Sequence, residues 1–240
     1  MKIEVVLSPA LYDGRQLKEH HATVVVDILR ATSALCAAFT AGAAEIVPLD
    51  SLEPLARYQR LGFTLAAERN GEKVQGATCG NSPTEYLSMN LEGQRIAYST
   101  TNGTVSILKA SDSDKVLIGA FCNLNALAKK LLADTSLRDV VVLCSGWKGD
   151  PSLEDTLFAG ALIAELRQLD NDVTLVNDAA SMAEDLWLGA KGNLYDYCCK
   201  ATHVQRLLRL NYEADIRWAF KRDTSTVVPQ YLNGKLIVNN

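Results

Sequence analysis

Asp27-Ile28-Leu29-Arg30-Ala31-Thr32-Ser33 follows the apolar run Val24–Val26, and Glu68-Arg69 follows Leu65–Ala67. Ser99-Thr100-Thr101-Asn102-Gly103-Thr104 follows Ile96–Tyr98, and Cys144-Ser145-Gly146-Trp147-Lys148-Gly149-Asp150 follows Val141–Leu143. In open α/β sheets, ligands bind beyond the carboxyl ends of the strands, so these four segments are expected to offer their groups to one rim. A carboxylate such as Asp27 can hold Mg²⁺, which takes oxygen ligands from one or two carboxylates, water and phosphate. An arginine three residues on, Arg30, can fork onto phosphate or carboxylate oxygens. A local ion pair, or a helix cap made by Asp27, explains the same two residues without a ligand. Glu68-Arg69 repeats the acid–base pairing at a second strand end.

Five of the six residues Ser99–Thr104 are Ser, Thr or Asn. One such residue would suffice as a helix cap; five of them, before an apolar helical stretch, suit an oxyanion held by side-chain donors and free backbone N–H groups. Glu154-Asp155 opens the stretch Leu153–Leu169, where the helix dipole alone favours acids. One of the pair is nevertheless a candidate to hold a metal or position water, since the first turn of this helix should face the same rim. Lys148, flanked by Gly146 and Gly149, can neutralise anion charge or stand in solvent.

The spacings disfavour the common covalent phosphoryl enzymes. Cys144 has Asp150, and Cys79 has Glu85, at the sixth following position, where a cysteine phosphatase needs arginine. Asp27 has Leu29 two residues on, so the paired aspartates of aspartyl-phosphate enzymes are missing. No Arg-His-Gly triplet, no G-x-x-x-x-G-K-[ST] loop and no G-x-S-x-G elbow occurs. What remains is metal-assisted attack of water on an anionic ester, with arginine and hydroxyl donors holding the oxyanions.

These groups need a frame. Short β-branched runs at Thr23–Ile28, Glu45–Leu49, Thr64–Ala67, Arg95–Ser99, Lys115–Ile118, Asp139–Cys144 and Val173–Val176 alternate with helical patterns. That alternation predicts an α/β fold with a mixed or mostly parallel sheet covered by helices on both faces. Helices are expected over Ala31–Ala41, Leu52–Leu61, Asn123–Leu132, Leu153–Leu169, Ala180–Ala190 and Tyr197–Leu210. Asn233-Gly234 is a turn dipeptide that closes a hairpin of Thr226–Val228 and Lys235–Val238. Arg69–Pro83, with Gly71, Gly76 and Gly80, reads as a long loop, and such loops are usually functional or disordered; Asn81 and Ser82 within it, beside Glu68 and Arg69, favour function. The 240 residues are read as one compact unit, 1–240. A faint echo between Val24–Asp27 and Val140–Leu143 leaves open two similar lobes, 1–110 and 111–240.

With 48% apolar residues, a core forms without disulfides. The formal net charge of −4 argues against nucleic-acid binding, which needs a basic surplus. No apolar run reaches a bilayer-spanning length, and Met1–Leu7 reads as a first strand rather than a secretory leader. Cys36, Cys79, Cys122 and Cys144 are scattered and Cys198-Cys199 adjacent, so the reading is reduced core thiols in a cytoplasmic protein. Three histidines, His20, His21 and His203, leave little for a histidine-ligated zinc site.

The strings Val26-Asp27-Ile28-Leu29-Arg30-Ala31-Thr32-Ser33, Ala67-Glu68-Arg69, Gly80-Asn81-Ser82-Pro83, Thr100-Thr101-Asn102-Gly103-Thr104 and Leu153-Glu154-Asp155, in that order, resemble the 2-phosphosulfolactate phosphatase family. The resemblance covers roughly Ile3 to Leu169; no diagnostic motif follows Asp170. It implies a Mg²⁺-dependent hydrolase converting 2-phospho-3-sulfolactate to 3-sulfolactate and phosphate, a step of coenzyme M biosynthesis, on an α/β fold unlike the common phosphatase folds. The expected catalytic groups are Asp27, Arg30, Glu68 and Asp155, and the expected metal ligands are Asp27, Glu154 and Asp155. Thr32, Ser33, Arg69, Asn81, Ser82, Thr100, Thr101, Asn102, Gly103, Thr104 and Lys148 are expected to bind substrate. The expected partner is a small anionic phosphoester, with no nucleic acid and no membrane; a homo-oligomer stays open. A phosphoesterase for another small phospho-acid, and a non-catalytic binder of phosphorylated acids, remain alternatives.

Overall fold

All six residues of β2 (His21–Val26) are buried. Successive strand side chains point to opposite faces, so this strand is covered on both sides. The computed structural model describes residues 1–12 and 20–238. Its strands and helices alternate as the sequence pattern requires. The first half holds β1 (Lys2–Val6), β2, α1 (Ala31–Thr40), β3 (Glu45–Pro48), α2 (Leu55–Arg60), β4 (Thr64–Arg69), β5 (Glu72–Lys73), α3 (Pro83–Ser88), β6 (Arg95–Ser99) and α4 (Gly103–Lys109). The second holds β7 (Lys115–Gly119), α5 (Leu124–Ala133), β8 (Asp139–Cys144), α6 (Leu153–Leu169), β9 (Thr174–Leu175), α7 (Asp178–Ala190), α8 (Leu194–Cys198), α9 (Thr202–Arg209), α10 (Glu213–Ala219), β10 (Gln230–Leu232) and β11 (Lys235–Ile237).

The fold is α/β. Among the described residues, eleven strands form one mixed, mostly parallel sheet in the order β5-β4-β6-β3-β11-β10-β7-β2-β8-β1-β9. One parallel block, β7-β2-β8-β1-β9, holds Val24 opposite both Leu117 and Val142. The other is β4-β6-β3, with Ile96 opposite both Ile46 and Thr64. The β10–β11 hairpin lies between them and pairs antiparallel with β7 on one side and β3 on the other. Three successive antiparallel pairings reverse direction three times, so the two blocks run opposite ways. The strand ends that carry Asp27 and Thr100 therefore do not share one edge of the sheet, contrary to the single rim expected from sequence.

What brings them together is α1. Its residues Ala31 to Phe39 are all buried, and it packs on β7 of one block and on α3 and α4, which follow strands of the other. The main core, from Ile3 through Val24, Leu35, Phe121 and Phe158 to Leu236, runs through both blocks. On the far flank α6 packs on α7 and α5.

Three local expectations shift. The helix expected over Leu52–Leu61 starts only at Leu55, after Pro54. The stretch expected as one helix, Tyr197–Leu210, is two, because Ala201 is extended (φ −71°, ψ 137°) at the head of α9. The hairpin does close on Asn233-Gly234, both at positive φ (50° and 84°), as a tight two-residue turn requires. Pairing of Leu232 with Lys235 then places the first strand at Gln230–Leu232, after Pro229 rather than at Thr226–Val228. Within Arg69–Pro83, Asn70 and Gly71 turn at positive φ (55° and 80°) and fold β5 back on β4.

Candidate active site

Asp27 leaves the end of β2 and is almost fully buried, 7% exposed. Its backbone is pinned by Thr32, whose N–H donates to the Asp27 carbonyl at 2.9 Å and whose hydroxyl accepts from the Asp27 N–H at 3.1 Å. Its Oδ1 accepts the N–H of Ala31, the first residue of α1, at 3.1 Å. Ser33 donates to the Ile28 carbonyl at 2.8 Å. Thr32 and Ser33 thus build the turn that aims Asp27, and neither lines the cleft it faces.

That cleft is lined by Asp27, Arg30 and Glu68 and by Thr100, Thr101 and Asn102. Asn81, Lys148 and Trp147 line it too, with His203 and Arg206 from α9. Four segments read from the sequence therefore do meet. Tyr98 donates its hydroxyl to Asn81 Oδ1, which turns the carboxamide so that its NH₂ has no partner among the described residues. Thr104 donates its N–H to Thr100 Oγ1 at 3.3 Å and its hydroxyl to the Thr100 carbonyl at 2.9 Å, so Thr104 shapes the turn from behind. A Cβ on Gly103 would lie 2.3 Å from Ala31 Cβ and 3.0 Å from Asp27 Oδ2; only a glycine lets α4 start this close to the head of α1. Lys148 is held at φ +56°, and its ammonium stands 4.8 Å over the Trp147 ring.

Several expected groups are occupied elsewhere. Arg30 gives Nη1 to Asp215 at 2.8 Å and Nη2 to the Gly71 carbonyl at 2.6 Å, and its guanidinium lies 3.7 Å over the Tyr212 ring. The fork expected on substrate is a buried tie between α1, the β4–β5 turn and α10. Ser82 caps α3 and donates to Asp215 at 2.7 Å, so it belongs to the same tie. Arg69 donates to the Glu68 carbonyl and to Ser99 Oγ and does not line the cleft.

Glu154 and Asp155 are buried in the first turn of α6 and also lie behind the cleft wall. Asp155 accepts the Ile28 N–H at 2.8 Å on one oxygen and the Gly146 N–H at 3.0 Å on the other, clamping the segments after β2 and β8 together. Glu154 Oε1 meets His203 Nδ1 at 3.0 Å. Neither carboxyl lines the cleft; both stand behind the groups that do. Burial and the Glu154 charge push the Asp155 carboxyl up to about 7, against the two N–H groups that oppose the rise. Burial raises Asp27 well above the ordinary carboxylate range, and the charges of Asp155, Glu68 and Glu154 add to it.

The site is therefore short of positive charge where Asp27 faces the cleft, because Arg30 is engaged with Asp215. A hard divalent cation fits there: Asp27 Oδ2 accepts no hydrogen bond from the described residues, and Mg²⁺ needs only one or two carboxylates beside water and phosphate oxygens. No three His, Cys, Asp or Glu side chains among the described residues converge on one metal position, so a ligand set made of protein groups alone does not fit.

Sequence reasoning missed Asp215, His203, Trp147 and Arg206. Their only signals were the scarcity of histidine and the neighbour of Lys148.

The model of the family described as 2-phosphosulpholactate phosphatase matches residues 6–234. The chain belongs to the 2-phosphosulfolactate phosphatase family. This family is one of phosphoric monoester hydrolases. Among its relatives is a protein of Caldanaerobacter subterraneus subsp. tengcongensis, 34% identical over 92% of both chains. One of Picosynechococcus sp. is 36% identical over 95% of both, and one of Prochlorococcus marinus is 38% identical over 86% of this chain and 87% of its own. Each of the three bears the name "Probable 2-phosphosulfolactate phosphatase". The match extends the likeness beyond Asp170, to the region that supplies His203, Arg206 and Asp215. No helix among the described residues is long and apolar enough to cross a membrane.

Proposed function

We propose that this chain hydrolyses 2-phospho-3-sulfolactate to 3-sulfolactate and phosphate by Mg²⁺-dependent attack of water. The observation that carries the reading is one cleft that sets a buried carboxylate pair, Asp27 and Glu68, against uncharged and cationic donors. The substrate's phosphate, carboxylate and sulfonate need many donors, and Thr100, Thr101, Asn102, Asn81, Lys148 and Arg206 supply them. Asp27 would hold the cation, which when bound neutralises phosphoryl charge and favours ionisation of water.

The protein's own groups do the rest. Glu68 takes the proton of the attacking water. Its Oε1 accepts the Gly71 N–H, which fixes the carboxylate and leaves Oε2 for that proton. Asp155 holds the segments after β2 and β8 together behind Asp27. Arg30 locks the β4–β5 turn, and so Glu68, to α1.

Phosphate release from a panel of small phospho-acids, with and without Mg²⁺, tests the reading. Release from 2-phospho-3-sulfolactate above the other esters, lost in EDTA and restored by Mg²⁺, is expected. Full turnover in EDTA, or preference for an ester without sulfonate, overturns it.

A further inference from the structure

We propose that His203 is the general acid of the reaction: its Nε2 delivers the proton to the ester oxygen that leaves phosphorus. This inference rests on the phosphatase reading above, whose attack needs a proton donor on the departing side. A secondary alkoxide is a poor leaving group, and no group assigned so far supplies that proton.

His203 sits in the first turn of α9 and lines the cleft. Its Nδ1 faces Glu154 Oε1 at 3.0 Å, with the two side chains only 11% and 2% exposed. Glu154 has no second hydrogen-bond partner among the described residues, because Oε2 is buried and bare. The other face of the imidazole is fixed by Trp147, whose ring stacks 5.3 Å away at 7° to it. Two orthogonal restraints, a carboxylate in the ring plane and an indole on its face, allow one orientation. They leave Nε2 without a partner among the described residues. With Nδ1 directed at the carboxylate, the proton placed for transfer is the one on Nε2. In the imidazolium form the Glu154 contact is an ion pair; after transfer it is a hydrogen bond, and nothing has to rotate.

The step balances. The water oxygen forms the new bond to phosphorus, and its proton goes to Glu68. The bond between phosphorus and the ester oxygen breaks, its electron pair stays on that oxygen, and the Nε2 proton completes the alcohol. His203 is left neutral with Nδ1–H on Glu154, and solvent exchanges the protons of His203 and Glu68 to restore the start.

The test compares two substrates on the same protein: the natural ester and its analogue with sulfur in place of the bridging ester oxygen. A thiolate leaves without a proton. His203→Gln keeps a donor for Glu154 and should lower kcat/KM for the oxygen ester by about 10²–10⁴-fold, the usual share of acid–base catalysis, while changing the sulfur ester little. Glu154→Gln should move the same ratio in the same direction by less. Because the readout is a ratio within one preparation, partial unfolding of a variant cancels. An equal loss on both esters overturns the general-acid role. A wild-type chain inactive on both overturns the phosphatase reading itself, and this inference with it.

Discussion

Removal of the Arg30 guanidinium leaves Asp215 buried, 2% exposed, with two hydroxyls and an amide but no counter-charge. Breaking one side of a buried pair costs about 3–5 kcal/mol, so Arg30→Met should lose that much stability in urea denaturation. Arg30→Met with Asp215→Leu should recover most of it; equal loss in the single and double variants would return Arg30 to the substrate. Cys144 tests the opposite extreme. Burial, then the charges of Asp155 and Glu154, push its thiol well up, so no thiolate forms there. Cys144→Ala should keep Mg²⁺-dependent phosphate release, and a folded but dead variant would reinstate a covalent nucleophile. Asp27 and the Thr100–Asn102 turn were readable from sequence because both their chemistry and their placement are local. Arg30 was not, since its partner lies 185 positions away, and an arginine beside an acid reads the same whether it faces substrate or core. His203 has its meaning only through Glu154 and Trp147, which the chain brings near only when folded.

Gly103 shows how far the site depends on two helices meeting head to head. A methyl group there would press on Ala31 Cβ and crowd Asp27; overpacking of this kind costs about 1–3 kcal/mol. Gly103→Ala should therefore both lower the urea midpoint and raise KM, as Thr100–Asn102 is pushed off Asp27. A change in neither would mean that the α1–α4 approach has slack. The elements themselves were mostly legible: β6, β8 and α6 have the limits that their apolar periodicity predicts. Leu153–Leu169 is readable because its three- and four-residue spacing is sustained over seventeen residues. The division between α8 and α9 was not, since Cys199-Lys200-Ala201 contains neither Gly nor Pro to mark a break.

At the scale of the whole molecule, the buried carboxyls make stability depend on pH and on cation together. Groups whose protonation is raised by folding favour the native state while protonated. Their contribution is complete below the unfolded-chain values near pH 4 and is lost as pH rises through the folded values, about 7 for Asp155 and well above the usual range for Asp27. The cation-free chain should thus lose thermal stability as pH rises from about 4 to 7, Asp27→Asn should flatten that profile, and Mg²⁺ should raise Tm at pH 8 by binding only the native state. A Tm indifferent to Mg²⁺ at pH 8 would remove the cation from Asp27. The opposed directions of the two parallel blocks were not legible, because local pattern identifies strands but not the order in which they pair. That arrangement has a further consequence, for assembly in time. The hairpin joining the blocks is formed by residues 230–237, which leave the ribosome after every other strand of the sheet. Until they emerge, the nascent chain holds two half-sheets with β3 and β7 as bare edges, and bare edges pair with other chains. Ribosome-tethered chains halted at Val228 should therefore be sensitive to protease and prone to association, and eight or nine further residues beyond the exit tunnel should remove both at once.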